Sequence, residues 1–333
     1  MSNPSPARLS SPEEIATQRA VEAPRLRLPA QPSLFAERAL RLRQLAAGHA
    51  MRDFLIFLAD LCDAQQRALH QPRALTVPDA AVVLEAAQEQ RAPLTPEHVL
   101  PLHEWQAELP AILDDLAHRA APQAAQQAMR QLRSADVEYL HKQAVLLLSG
   151  QTLGLDMAAA PLIAAALQAY WVRLVTQTRA AHADMAFGPL EDLAHCPCCG
   201  SLPTASIIRV GGEESGLRYL HCSLCQTEWH RVRIQCARCG AGGKISYQQL
   251  EPQADAAGGS AHPATGAVRA ECCDDCGHYL KIVTMEKDLH VEPAADDLGT
   301  LTLDVLLTHT GLQRHGINLL MLFGDGDDLT EHD

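Results

Sequence analysis

The sequence predicts a multidomain α+β protein: an N-terminal all-α helical bundle, then two tandem rubredoxin-like or zinc-ribbon metal modules, then a short C-terminal helix. Three observations lead there. Apolar residues recur at helical spacing from Ser33 to about His182 with few strand signals. Near residue 190 the texture changes to glycine, cysteine and short alternating segments. Ten of the eleven cysteines fall between residues 196 and 276. The boundaries that follow are a mobile tail over 1–32, a helical domain over 33–190, a first metal module over 191–234, a second over 235–290, and a C-terminal piece over 291–333.

In the helical half, "SLFAERALRLRQLAAG" starts after Ser33 and breaks at Gly48, and "AMRDFLIFLADLCDAQQRAL" continues with a broad apolar stripe. Thr95 reads as a cap with Pro96 at the first helical position. "LPAILDDLAHRAA", "SADVEYLHKQAVLLLSG" and "MAAAPLIAAALQAYWVRLVTQT" supply further helices. Cys62 shares a helical face with Leu55 and Leu58 and reads as a buried structural thiol. Beyond residue 196, "SLPTASIIRV", "GLRYLHC", "TEWHRVRIQC" and "HYLKIVTME" read as short strands, and residues 251–267 as a Gly/Ala/Pro loop. "LGTLTLDVLLTHTGL" is helical again, "INLLMLF" is a short buried segment, and "GDGDDLTEHD" is an acidic, solvated tail.

Composition narrows the function. A length of 333 residues is long for a single core. The 27 Lys and Arg against 40 Asp and Glu oppose a nucleic-acid backbone and supply no polybasic membrane patch. Residues 1–32 hold no apolar run, and Met157–Leu167, the most apolar stretch, is eleven residues long against the roughly 20 a spanning helix needs. The expectation is a cytoplasmic chain without membrane insertion. No Gly-rich phosphate loop, G-x-S-x-G or H-E-x-x-H is present, and no enzyme activity is expected.

The cysteines carry the chemistry. Four C-x-x-C pairs stand at Cys196/Cys199, Cys222/Cys225, Cys236/Cys239 and Cys273/Cys276. A two-residue spacing lets a tight turn aim both sulfurs at one tetrahedral ion, so each pair is half of a site. Joining consecutive pairs gives C-x2-C-x22-C-x2-C and C-x2-C-x33-C-x2-C, frameworks in which a hairpin separates the two knuckles. A rival pairing of Cys222/Cys225 with Cys236/Cys239 leaves only ten residues between knuckles and ranks lower. Cys198 and Cys272 are spare and read as ordinary small residues; His195, His221 and His278 adjoin knuckles but are not needed where four thiolates are available. Such sites hold zinc or a single iron, and with no open position they do not activate water.

The runs "CPCCGSLP", "RYLHCSLCQTEWHRVRIQCARCG", "ECCDDCGHYLKIV" and "DDLGTLTLDVLLTHTGLQRHGINLLML", with "ERALRLRQLAAGHAMRDFLIFLADLCDAQQ" and "LPLHEW" before them, closely resemble the FdhE family of formate dehydrogenase accessory proteins. The likeness spans nearly everything beyond residue 30. It implies a cytoplasmic factor for assembly or activation of respiratory formate dehydrogenase, contacting the catalytic subunit. It also implies rubredoxin-like modules that favour iron over zinc, one ion per module, held by the eight cysteines of the four pairs. Cys198, Cys272 and the 251–267 loop depart from the family pattern. Two alternatives stay open: a zinc-ribbon nucleic-acid binder, which nine basic against ten acidic side chains over 196–290 disfavour, and a rubredoxin-like electron carrier. Monomer and homodimer both remain open.

Overall fold

The computed structural model describes residues 24–322 apart from 120, 191, 212–213 and 252–265. The acidic tail after Phe323, most of the 251–267 loop and the first 23 residues therefore lie outside the described residues.

The helical half contains α1 (Leu34–Ala46), α2 (Arg52–His70), α3 (Ala80–Gln88), α4 (Pro96–Val99), α5 (Leu109–Leu116), α6 (Gln123–Ser134), α7 (Val137–Leu148) and α8 (Ala160–His182). Helix α8 is the axis of this half. Every residue from Leu162 to Val175 is buried, so it has no solvent face over that stretch, and its alanines let α2, α5 and α7 approach closely. Chain reversal between α1 and α2 uses Gly48 at φ +75°, a left-handed conformation open to glycine without a Cβ penalty. Cys62 packs in this core with its thiol pushed up to about 12 by burial. Two helices escape the pattern reading. α3 buries only Val83 and Ala86, and α6 only Ala125, Ala128, Met129 and Leu132, stripes too narrow to stand out in polar sequence. Pro96 does open α4, but the Thr95 hydroxyl lies 2.7 Å from His98 Nδ1 instead of capping an amide.

The second half is one mixed sheet. Its strands are β1 (Leu26–Arg27), β2 (Pro203–Ile208), β3 (Arg218–Cys222), β4 (Glu228–His230), β5 (Ile245–Gln248), β6 (Val268–Cys273), β7 (His278–Thr284) and β8 (Gln313–Arg314). The order is β1-β4-β3-β2-β7-β6-β5, with β8 added alongside β7. Two antiparallel units, β4-β3-β2 and β7-β6-β5, meet edge to edge where β2 and β7 pair in parallel, Ser206 opposite Ile282. The modules expected in series thus share a ladder. "TEWHRVRIQC" is a strand only over Glu228–His230 and then turns towards Cys236.

Residues 24–32 differ from the mobile tail expected through residue 32. Leu26 and Arg27 pair with Trp229 and Glu228, Arg27 reaches Glu228 at 3.3 Å, and Arg25 donates to the Gly188 carbonyl at 2.6 Å. At the other end, α9 (Pro293–Leu298) and α10 (Leu301–Thr308) fold back on the sheet. Lys281, fully enclosed in β7, donates to the carbonyls of Asp297 and Thr300 at 2.8 and 3.1 Å, and Arg314 pairs with Asp297 at 2.7 Å.

Buried charge joins the halves. On α1, Arg41 clasps Asp296 with two hydrogen bonds of 2.9 and 2.6 Å, and Arg38 holds Glu292 at 2.9 Å. Burial opposes the charge on Arg38, but Glu292 beside it keeps the guanidinium above its usual value; Glu292 is held below the usual carboxylate range despite its own burial. The Glu292 contribution is therefore in place above the ordinary glutamate range and is lost as pH falls through the lowered value. Replacing Glu292 by Gln leaves Arg38 buried without a counter-charge. The expected cost is about 3–5 kcal/mol, read as a lower denaturant midpoint at neutral pH, with a flatter stability profile in acid than wild type.

Candidate metal centres

Each unit of the sheet is built the same way: a knuckle, two strands, a second knuckle at the end of the second strand, and a third strand. In the first unit the knuckles are 196–199 and 222–225, and in the second 236–239 and 273–276. Because Pro203 lies opposite Cys222 and Ile245 opposite Cys273, the hairpin register brings the two knuckles of each unit face to face. The turns are tight. Gly200 donates to the Cys196 carbonyl at 2.8 Å, Gly240 to Cys236 at 3.1 Å and Gly277 to Cys273 at 2.9 Å, with φ of +73°, +75° and +68°.

The eight sulfurs fall into two groups, Cys196, Cys199, Cys222 and Cys225, and Cys236, Cys239, Cys273 and Cys276, each with all sulfurs within 4.8 Å of one another. Each group combines two consecutive pairs, and the two middle knuckles, 222–225 and 236–239, fall in different groups. Cys196 and Cys225 are 3.5 Å apart, Cys199 and Cys222 3.4 Å, Cys236 and Cys276 3.7 Å, and Cys239 and Cys273 3.8 Å. A tetrahedron of ~2.3 Å metal–sulfur bonds has edges of about 3.8 Å, so both groups could hold an ion with little adjustment. Amides assist: those of Leu224 and Cys225 lie 3.4 Å from Cys222 Sγ, and that of Arg238 3.4 Å from Cys236 Sγ.

The inner group is enclosed, with all four cysteines buried and part of the main core. Burial works against ionising Cys225, but hydrogen bonding from Cys196, Cys198, Cys199 and Cys222 holds it well below its ordinary value, while burial pushes Cys196 and Cys222 well above theirs. A divalent cation at the centre of the four sulfurs would stabilise all of them as thiolates. The outer group is open. Cys236 and Cys273 are buried, Cys276 is half-buried and Cys239 is exposed. The Ala241 amide, foremost, holds the Cys239 thiol below its ordinary value.

The other candidates take different partners. Cys198 lies 3.6 Å from Thr227 Oγ1, and Cys272 packs with Ala270, Tyr279, Leu303 and Leu307, its thiol pushed up to about 11 by burial. His195 pairs with Asp192 at 2.6 Å, His221 lies 3.0 Å from Gln226 Oε1, and His278 lies 2.6 Å from the Cys276 carbonyl.

Residues that spacing did not single out connect the inner centre to the helices. The second knuckle has Gln226 where the other three have glycine, and it adopts the same left-handed turn at φ +62°. Its side chain accounts for the exchange. Nε2 donates to the carbonyls of Ser223 and Leu224 at 3.1 Å each, and Oε1 accepts from Arg38. Gln168 of α8 donates to the Ser223 carbonyl at 2.8 Å, and Leu94 donates to the Cys198 carbonyl at 3.0 Å. The one legible signal was CSLCQ standing beside CPCCG, CARCG and CDDCG.

These features define a class: a helical scaffold docked on a sheet with two four-cysteine groups consistent with zinc-ribbon modules. Models of the FdhE N-terminal, central and C-terminal domains match residues 23–185, 195–233 and 234–321, and the chain belongs to the FdhE family. A protein FdhE homolog from Edwardsiella ictaluri is 38% identical over 300 residues, covering 90% of this chain and 92% of that one. Protein FdhE of Escherichia coli O9:H4 is 35% identical over 305 residues, covering 91% and 93%. The crystal structure of the FdhE protein from Pseudomonas aeruginosa superposes with a TM-score of 0.78 at 37% identity, covering 91% of this chain and all of that one.

Serine in place of Cys199 should remove one of two bound ions, whereas serine in place of Cys198 should leave both, since only Cys199 lies on the sulfur tetrahedron. Native mass spectrometry of the two variants checks this; equal metal loss would mean that the first knuckle is misassigned.

Proposed function

We propose that this chain is a non-catalytic maturation factor for respiratory formate dehydrogenase, binding the enzyme's catalytic subunit in the cytoplasm through its two-centre tetrathiolate domain. The observation that carries the reading is the occurrence of two complete four-cysteine groups, each at tetrahedral spacing, in a chain of the FdhE family. Family likeness supplies the partner and favours iron over zinc. The donor set supports a holding role, because four thiolates leave no coordination position for substrate or water.

The surface position of the outer group gives a second reading some support: an iron centre with sulfur at the surface could pass single electrons to a docked protein. Metal analysis of protein purified without oxygen, followed by reduction, separates the two. A reversible visible bleach is required for electron transfer, and zinc cannot give one. As to membranes, no helix among the described residues is long and apolar enough to cross one.

Two ions per chain are expected by native mass spectrometry; a fully folded protein with one or none would overturn the paired-site reading. Replacing Cys236 and Cys239 together by serine should abolish co-purification of the catalytic subunit while the helical circular dichroism is retained, because the core that α1–α8 share with the inner unit contains none of the four outer cysteines and the inner centre is untouched. If the double variant captures the subunit as well as wild type, the helical half carries recognition instead.

A further inference from the structure

We infer that the two centres differ in kind: the inner is a permanent structural centre, and the outer is exchange-competent, with Cys239 the thiolate that meets external reagents first. This rests on the reading that both groups hold metal, and it adds a division of labour that family membership does not supply.

Exchange at a closed tetrathiolate centre needs a ligand to swing away from the ion, so its rate follows the ease with which the knuckle opens. For the inner centre, opening is tied to the helical core. The Cys198 carbonyl accepts from Leu94, whose own carbonyl accepts from Trp171 Nε1 at 3.0 Å on α8. The Ser223 carbonyl accepts from Gln168, which also accepts from Gln65 of α2 at 3.1 Å. Gln226 is tied to Arg38 of α1. Even Cys199, which lines a cleft of about 600 Å³ between α4 and α7, has 0% of its surface exposed. Between them, the two inner knuckles are thus tied to α1, α2 and α8.

The outer centre is held from within the sheet. Arg231 donates to the Cys236 carbonyl at 2.9 Å, Asp274 to the Lys244 carbonyl at 3.1 Å, and Arg238 lies 2.8 Å from His278 Nδ1. Cys236 and Cys273 form its buried edge, and Cys239 and Cys276 its outward edge. Cys239 sits at the end of its knuckle, followed by Gly240 and the exposed Gly242 and Gly243, so the segment swings out without breaking helical contacts. Once its sulfur leaves the ion, Cys239 reacts as a free thiolate. With iodoacetamide a carbon–sulfur bond forms, the carbon–iodine bond breaks and iodide departs.

The test uses the full-length protein reconstituted with Zn(II) under reducing conditions and challenged with EDTA and iodoacetamide together, following metal release and the order of cysteine alkylation by mass spectrometry. The expected result is two phases: one equivalent leaves at least roughly 10-fold faster than the other, with Cys239 and then Cys276 alkylated in the fast phase and helical circular dichroism unchanged. The Cys239→Ser variant should bind one ion and show only the slow phase. Release of both ions in one phase, or alkylation of Cys196, Cys199, Cys222 or Cys225 before Cys239, overturns the inference. A chain that takes up no zinc overturns the metal reading beneath it as well, whereas normal two-phase release from a protein that fails to capture the catalytic subunit would leave this division intact and remove only the proposed partner.

Discussion

Four sulfur atoms drawn to one point inside a protein form an arrangement that the chain cannot hold ionised on its own. Thiolates less than 4 Å apart repel strongly in a low-dielectric interior, and burial penalises each of them separately. The closest pairs here are 3.4–3.8 Å apart, so the knuckles are arranged around a cation that resolves the repulsion. Much of the β half follows from this. The second knuckle of each unit closes a strand, at Cys222 and at Cys273, where the hairpin register brings it opposite the first, and the same knuckle–strand–strand–knuckle–strand unit recurs once for each group.

Attachment of the inner unit to the helices rests on a hub of buried charge. Arg38 is fully enclosed, yet contacts Glu292 from the C-terminal segment and Gln226 from the second knuckle, drawing three distant parts of the chain to one guanidinium. Hydrophobic contact alone would allow the bundle to slide over the sheet. A guanidinium left without its partners cannot be tolerated, so the hub sets orientation as well as contributing binding energy. The local cost is the left-handed backbone of Gln226, roughly 1–2 kcal/mol relative to glycine, offset by hydrogen bonds that glycine could not make.

Helical period marked α1, α2, α5, α7 and α8 because each has an apolar stripe wide enough to read, and two-residue spacing singled out all eight clustered cysteines because tetrahedral geometry imposes it. Sequence pattern is a local signal, and what it missed is non-local. Nothing near Ser206 or Ile282 says that their strands pair in parallel and fuse the two modules into one sheet. Leu26 and Arg27 lie in a Pro-rich stretch and become a strand only because β4 offers them an edge. The exposure of Cys239 beside the burial of Cys199 is equally invisible, since both occupy the same place in a C-x-x-C-G repeat. Burial is decided by what packs on the knuckle: the inner knuckles bond to Gln168 and Leu94 of the helical half, whereas α9 and α10 pack on the outer unit at Lys281 and Cys272, and Cys239 stays exposed.

The same asymmetry decides how each centre's charge is balanced. Four thiolates around a divalent ion carry a net charge of two minus, and the chain as a whole is already at −13. Fixed dipoles act at both centres, the Leu224 and Cys225 amides pointing at Cys222 and the Arg238 amide at Cys236. These are part of the turn and are not screened by salt. Around the outer sulfurs side-chain cations contribute: burial lowers the pKa of Arg231, but the charges of Cys236 and Cys239 act against that, and Arg238 stands exposed in the knuckle itself. Compensation by exposed cations weakens as ionic strength rises, because the Debye length falls to about 8 Å at physiological salt. The outer centre is thus coupled to its surroundings through the exposed Cys239 and through Arg238, which stands at the surface of the same knuckle. The inner centre, with all four cysteines buried, is removed from that contact with solvent.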